Sequence, residues 1–161
     1  MSLLIYPGSF DPVTVGHMNI IERAASLSGR LIVVVLRNTS RSPVFTMEER
    51  LEMLRIATGG MPGVEVDSFG GLLAEYARLR GASAVVRGVR RASDYEYETQ
   101  MALMNRRINP SMDTIFLPAE PAYAPLSSSL VRDVGMLGGD LTGLVPDAIL
   151  DRVQQKLRAM I

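Results

Sequence analysis

The sequence predicts an α/β protein: one domain, residues 1–161, in which an open parallel sheet of five strands carries helices on both faces. Three observations lead there. Five short apolar runs rich in Val and Ile recur along the chain, separated by amphipathic stretches, which is the alternation of a parallel sheet with crossover helices. Two of the runs, Leu31–Leu36 and Ala84–Arg87, lack the polar alternation of a half-solvated strand, as strands buried on both faces do. The length of 161 residues, with 47% hydrophobic and 21% charged residues, suits one buried core and excludes a disordered or fibrous chain.

The elements follow in order. Strands are expected at Leu3–Tyr6, Leu31–Leu36, Val64–Val66, Ala84–Arg87 and Thr114–Leu117. A first helix is expected over Val15–Leu27, capped by Thr14. A second starts at Thr46, where Glu49 completes a capping-box spacing. A third covers Leu72–Arg80 and stops at Gly81, a residue suited to the left-handed C-cap. A fourth opens at Ser93, with Glu96 at the capping-box position, and runs to about Ile108 before Pro110. Its residues Tyr97, Met101, Met104 and Ile108 recur at helical spacing. Met53, Met101 and Met104, among the ten methionines, read as gap-filling core residues. A short helix follows Ser127–Ser129, and a last one begins near Pro146 with Ile149, Val153, Leu157 and Met160 on one face.

Composition excludes several chemistries. There is no cysteine, so disulfides, thiolate nucleophiles and Cys-built metal sites are excluded. His17 is the only histidine, so any imidazole chemistry rests on it. Seventeen basic residues balance seventeen acidic ones, unlike a general nucleic-acid binder. The longest aliphatic run has six residues, against the roughly 20 that span a bilayer. With no basic segment followed by an apolar stretch at the N-terminus, the expectation is a cytoplasmic protein with neither nucleic-acid nor membrane partners.

The segment Gly8-Ser9-Phe10-Asp11-Pro12 followed by Thr14-Val15-Gly16-His17 carries most of the functional information. It joins the C-terminal end of the first strand to a helix start, where open parallel sheets bind ligands. A helix N-terminus there presents main-chain N–H groups to phosphate. His17 can add a ring N–H and Ser9 a hydroxyl. Neither G-x-G-x-x-G nor G-x-x-x-x-G-K-[ST] occurs. Arg87-Gly88-Val89-Arg90, at the same sheet edge, reads equally as a polyphosphate contact or a solvated basic turn. Glu98 alone reads as a helix-surface carboxylate, and Ser127-Ser128-Ser129 as an N-cap that also suits phosphate.

The Gly8–Pro12 and Thr14–His17 elements resemble the signature of the nucleotidyltransferase superfamily. Pro43-Val44-Phe45-Thr46 with Met47–Arg50, Arg87–Arg90 with Asp94–Glu98, and Ser127–Ser129 with Leu130-Val131-Arg132 are similar, in order, to the phosphopantetheine adenylyltransferase family. The resemblance covers nearly the whole chain. It implies a dinucleotide-binding, Rossmann-like fold and transfer of the adenylyl group of ATP to 4′-phosphopantetheine, giving dephospho-coenzyme A and pyrophosphate. It implies His17 as transition-state stabiliser, with Ser9 and Arg41 assisting. Ser9, Arg41, Leu73 and Arg87 are implied at phosphopantetheine. Ser9, Phe10, His17, Gly88, Val89, Arg90, Glu98 and the run Tyr123, Ala124, Pro125, Leu126, Ser127, Ser128 and Ser129 are implied at ATP. Leu72 reads as core and Arg91 as a surface charge. Arg41 departs from the usual lysine of the family; it keeps the charge in a larger, planar group. The resemblance further implies magnesium carried with ATP, no protein metal site, and a homohexamer. A different phosphate acceptor, such as nicotinamide mononucleotide or glycerol phosphate, and a non-catalytic nucleotide-binding module are the competing readings.

Overall fold

The structure, a computed structural model, describes residues 2–37 and 42–161. Five strands, β1 (Leu3–Gly8), β2 (Arg30–Leu36), β3 (Val64–Phe69), β4 (Ala84–Val89) and β5 (Asp113–Pro118), form one sheet in the order β3-β2-β1-β4-β5. Every pairing is parallel. The order reverses between β1 and β4, the neighbours that flank the switch point where such sheets open a crevice.

Alternation of side chains divides the core in two. Leu4, Tyr6, Leu31, Val33, Val35 and Val86 face one layer, built from α1 (Val15–Ser28), α2 (Met47–Thr58), α5 (Ser128–Met136) and α6 (Leu150–Arg158). Leu3, Ile5, Ile32, Val34 and Val85 face the other, covered by α3 (Leu73–Arg80) and the end of α4 (Ala92–Ile108). The single domain is thus doubly covered, as the apolar runs require.

Caps set the boundaries. Thr46 and Glu49 form the expected capping box of α2, and Gly81 ends α3 at φ 67°. Lys156, the one lysine of the chain, reaches from α6 to the Glu49 carboxylate and lies 5.1 Å above the Phe45 ring.

Four expectations need correction. Helix α4 begins at Ala92, and Asp94 rather than Ser93 or Glu96 secures its start: one Asp94 oxygen accepts from the Arg90 and Arg91 amides, both at 3.1 Å. Met101 and Met104 are exposed, as are Tyr97 and Leu103, and α4 buries no residue; of its apolar stripe only Ile108 packs against a core layer. The final helix is split, a 3₁₀ turn at Asp147–Ile149 preceding α6, which leaves Met160 beyond its end and exposed. Leu72 is the N-cap of α3 and 60% exposed, whereas Leu73 is half-buried against the α3 layer. The one-residue shift turns Leu72 outward and brings Leu73 inward.

Candidate active site

Beyond the C-terminal ends of β1 and β4 lies a cleft of about 520 Å³. Its floor is the Tyr6–Phe10 segment that leaves β1. Gly8 is needed there for a steric reason: a Cβ at this position would stand 2.9 Å from Cζ of Phe10. Phe10 takes a positive φ of 47°, a conformation that costs a non-glycine residue on the order of 1–3 kcal/mol. What offsets it is burial: the Phe10 ring is fully enclosed and meets Tyr6 and His17 edge-on, with centroids 5.4 and 5.0 Å away.

His17 sits in the first turn of α1. The amide of Thr14 donates to its Nδ1 at 2.9 Å, while its own amide donates to Thr14 Oγ1 at 3.2 Å. The imidazole therefore occupies the place that Glu or Gln takes in an ordinary capping box. Because an amide is a donor only, Nδ1 must be the bare nitrogen and Nε2 carries the proton. Burial, with help from the charges of Arg90 and Arg87, lowers the His17 pKa to about 4. The ring is a neutral donor across the physiological range. The same burial raises the phenol of Tyr6, which also lines the cleft, above its ordinary pKa, against the pull of Arg87 and Arg90.

Two arginines frame the cleft. Arg87 shares the sheet face of Val85, the α3–α4 side. Its Nε and Nη2 donate to the two carboxylate oxygens of Glu98 at 2.9 and 2.8 Å, and its Nη1 to the Pro7 carbonyl at 3.1 Å. Arg90 crosses to the other side and donates to the Leu126 carbonyl at 2.8 Å, beside the start of α5. Ser127 caps that helix by accepting from the Leu130 amide at 3.1 Å.

Of the residues named from the sequence, Ser9, Phe10, His17, Arg87, Gly88, Arg90, Glu98, Tyr123, Leu126, Ser127 and Ser128 line this cleft. Leu73, Val89, Ala124, Pro125 and Ser129 do not. Arg41 lies outside the described residues.

Ser9 and Ser128 form a wall shared with a second recess of about 430 Å³, which holds Ser129 together with Arg37, Arg50 and Arg132. Sequence reading gives none of these last three a role, although Arg50 and Arg132 stand within motifs quoted above. Arg50 is buried and donates to the Ser9 carbonyl at 2.9 Å. Arg132 donates to the Asp11 carbonyl at 2.7 Å. Asp11 in turn accepts from the Val44 and Phe45 amides at 3.0 and 2.8 Å, pinning the Pro43–Thr46 segment to the first loop. These contacts join residues 33 to 121 positions apart, a link that local pattern does not carry. The fixed loop, the neutral donor and the cationic walls together suit displacement at a phosphorus between two anionic groups.

Comparison with known proteins agrees with this geometry. The cytidylyltransferase-like family matches residues 5–134. The phosphopantetheine adenylyltransferase of Caldanaerobacter subterraneus subsp. tengcongensis is 51% identical over 158 residues, covering 98% of this chain and 99% of the relative. That of Heliobacterium modesticaldum is 49% identical over 97% of this chain and 93% of its own. That of Carboxydothermus hydrogenoformans is 46% identical, covering 98% of each.

Proposed function

Since the chain belongs to the phosphopantetheine adenylyltransferase family, within the cytidylyltransferase-like proteins, we propose that this cleft joins ATP to 4′-phosphopantetheine, making dephospho-coenzyme A and pyrophosphate. The carrying observation is the Thr14–His17 pair, which holds one neutral N–H donor in a cleft also lined by Arg87 and Arg90.

The acceptor phosphate attacks the α-phosphorus of ATP in line. A phosphomonoester is largely dianionic at pH 7, its second pKa being about 6, so the reaction needs no general base. His17 Nε2–H donates to the α-phosphoryl oxygens and gains strength as charge gathers there. Ser9 offers its hydroxyl from the loop that Arg50 fixes. Arg87 and Arg41 hold the acceptor phosphate. Arg90, the N-terminus of α5 with Ser127–Ser129, and Arg132 receive the departing pyrophosphate. Gly88, Arg90, Tyr123, Leu126, Ser127 and Ser128, which line the cleft, seat the nucleotide.

Magnesium enters as the counter-ion of the triphosphate. Three carboxylates line the cleft, and each is already engaged: Asp94 by two amides, Glu98 by Arg87 and Glu120 by the Asn19 side-chain amide. Among the described residues no group of three or more His, Cys, Asp or Glu stands where it could hold a metal ion; we read the ion as arriving with the triphosphate. Met101 and Met104 lie exposed on one face of α4, which supports self-association, and we read the assembly as a homohexamer. Among the described residues no helix is long and apolar enough to cross a membrane; the cytoplasm is the location we propose.

The single-displacement step is tested with ATP made chiral at the α-phosphorus. Inversion in the product supports direct transfer; retention means a covalent adenylyl-enzyme and overturns the mechanism.

A further inference from the structure

Arg87 and Arg90 leave the same strand three residues apart, yet different parts of the molecule hold them. Arg90 is tied to Leu126, on the α5 side. Arg87 is tied to α4 and β1: three of its five N–H groups are spent, two on the Glu98 fork and one on the Pro7 carbonyl. That leaves one N–H on each terminal nitrogen, and the plane in which they lie is fixed at both edges.

Two physical points assign this arrangement a purpose. In-line displacement puts nucleophile and leaving group on opposite sides of the phosphorus. With pyrophosphate leaving toward Arg90 and α5, the acceptor must arrive from the α4 side, where Arg87 stands. Glu98, whose side chain is only 12% exposed, repels any phosphate it meets directly. It helps an anion bind only by orienting a cation.

We infer that Glu98 is a positioning residue for the acceptor, acting through Arg87. The carboxylate fork turns the guanidinium so that its two remaining N–H groups meet the acceptor phosphate as a pair. The inference rests on the assignment of Arg87 to that phosphate made above.

The test is a set of steady-state measurements on the full chain with Glu98→Ala, Glu98→Gln, Arg87→Ala and the double variant Arg87→Ala/Glu98→Ala. Calorimetry with ATP establishes that each variant keeps its nucleotide site. The expected result is a rise of about tenfold or more in the KM for 4′-phosphopantetheine in Glu98→Ala, with the KM for ATP within about twofold of the parent. Glu98→Gln, which keeps one accepting oxygen, falls between. The double variant is no worse than Arg87→Ala, because the two side chains act as one unit. A rise confined to the KM for ATP, or a double variant showing the sum of the two losses, overturns the inference. An unchanged acceptor KM in Arg87→Ala overturns the assignment of Arg87 itself, and the inference with it. A changed Arg87→Ala beside an unchanged Glu98→Ala overturns the inference alone.

Discussion

The amide of Thr14 donates to Nδ1 of His17 at 2.9 Å, and this one bond decides what the only imidazole of the chain is able to do. It leaves the proton on Nε2 and the base function on the buried nitrogen. A neutral ring held this way has an N–H to donate from Nε2 and no free lone pair there to accept a proton, which is what the proposed role asks of it.

Removal of that donor lowers the rate. In His17→Ala, kcat falls by about two to three orders of magnitude, the loss seen when one preorganised donor is removed from an oxyanion site. Both KM values stay within a few-fold, because the arginines and α5 still bind. Steady-state kinetics checks this; an unchanged kcat contradicts the role.

The pH dependence separates substrate from enzyme. Activity falls below about pH 6, where the acceptor phosphate takes up its second proton. His17, with its pKa at about 4, is neutral through that range, so the same limb persists in His17→Asn at a lower rate. A limb that vanishes in the variant assigns the titration to His17.

Stability carries the matching signature. Above pH 6.5 the imidazole is neutral in folded and unfolded chains alike and contributes nothing. Below it the unfolded chain binds a proton that the folded chain refuses until about pH 4, so stability drops across that window, by at most about 3 kcal/mol. Urea unfolding at pH 7 and pH 4.5 shows a smaller drop in His17→Asn than in the parent; equal drops contradict the buried neutral ring.

Gly8 and Phe10 form the mechanical support. In Gly8→Ala the new methyl meets the Phe10 ring at 2.9 Å, and the ring that backs His17 must shift. Overpacking of this kind costs about 1–3 kcal/mol. Thermal unfolding shows the loss, and kcat falls with it. A variant with parent stability and rate means the ring yields freely.

The five strands, the Thr46–Glu49 box, the Gly81 stop and the Ser127 cap were legible, since each is fixed by neighbours within a few residues. Thr14 was legible as a cap, but the imidazole in the capping-box position was not, since Glu or Gln ordinarily fills it. Arg50 and Arg132 stand in recognisable motifs, but their roles were not legible because their partners Ser9 and Asp11 are distant in sequence. Met101 and Met104 misled for another reason. Helical spacing marks an apolar face without saying whether the protomer's own core covers it, and here neither core layer does.

That uncovered face gives a prediction of its own. Met104→Glu, an exposed position, is expected to keep the monomer fold and to shift the sedimentation profile from the proposed hexamer to smaller species. An unshifted hexamer places the contact elsewhere.

The most direct measurement is of products. Protein, Mg-ATP and 4′-phosphopantetheine are incubated and separated by chromatography, with nicotinamide mononucleotide as a parallel acceptor. Dephospho-coenzyme A and pyrophosphate in equal amounts, with no product from the mononucleotide, is the predicted result. Bound ATP without turnover, or transfer only to the mononucleotide, contradicts the assignment of this cleft.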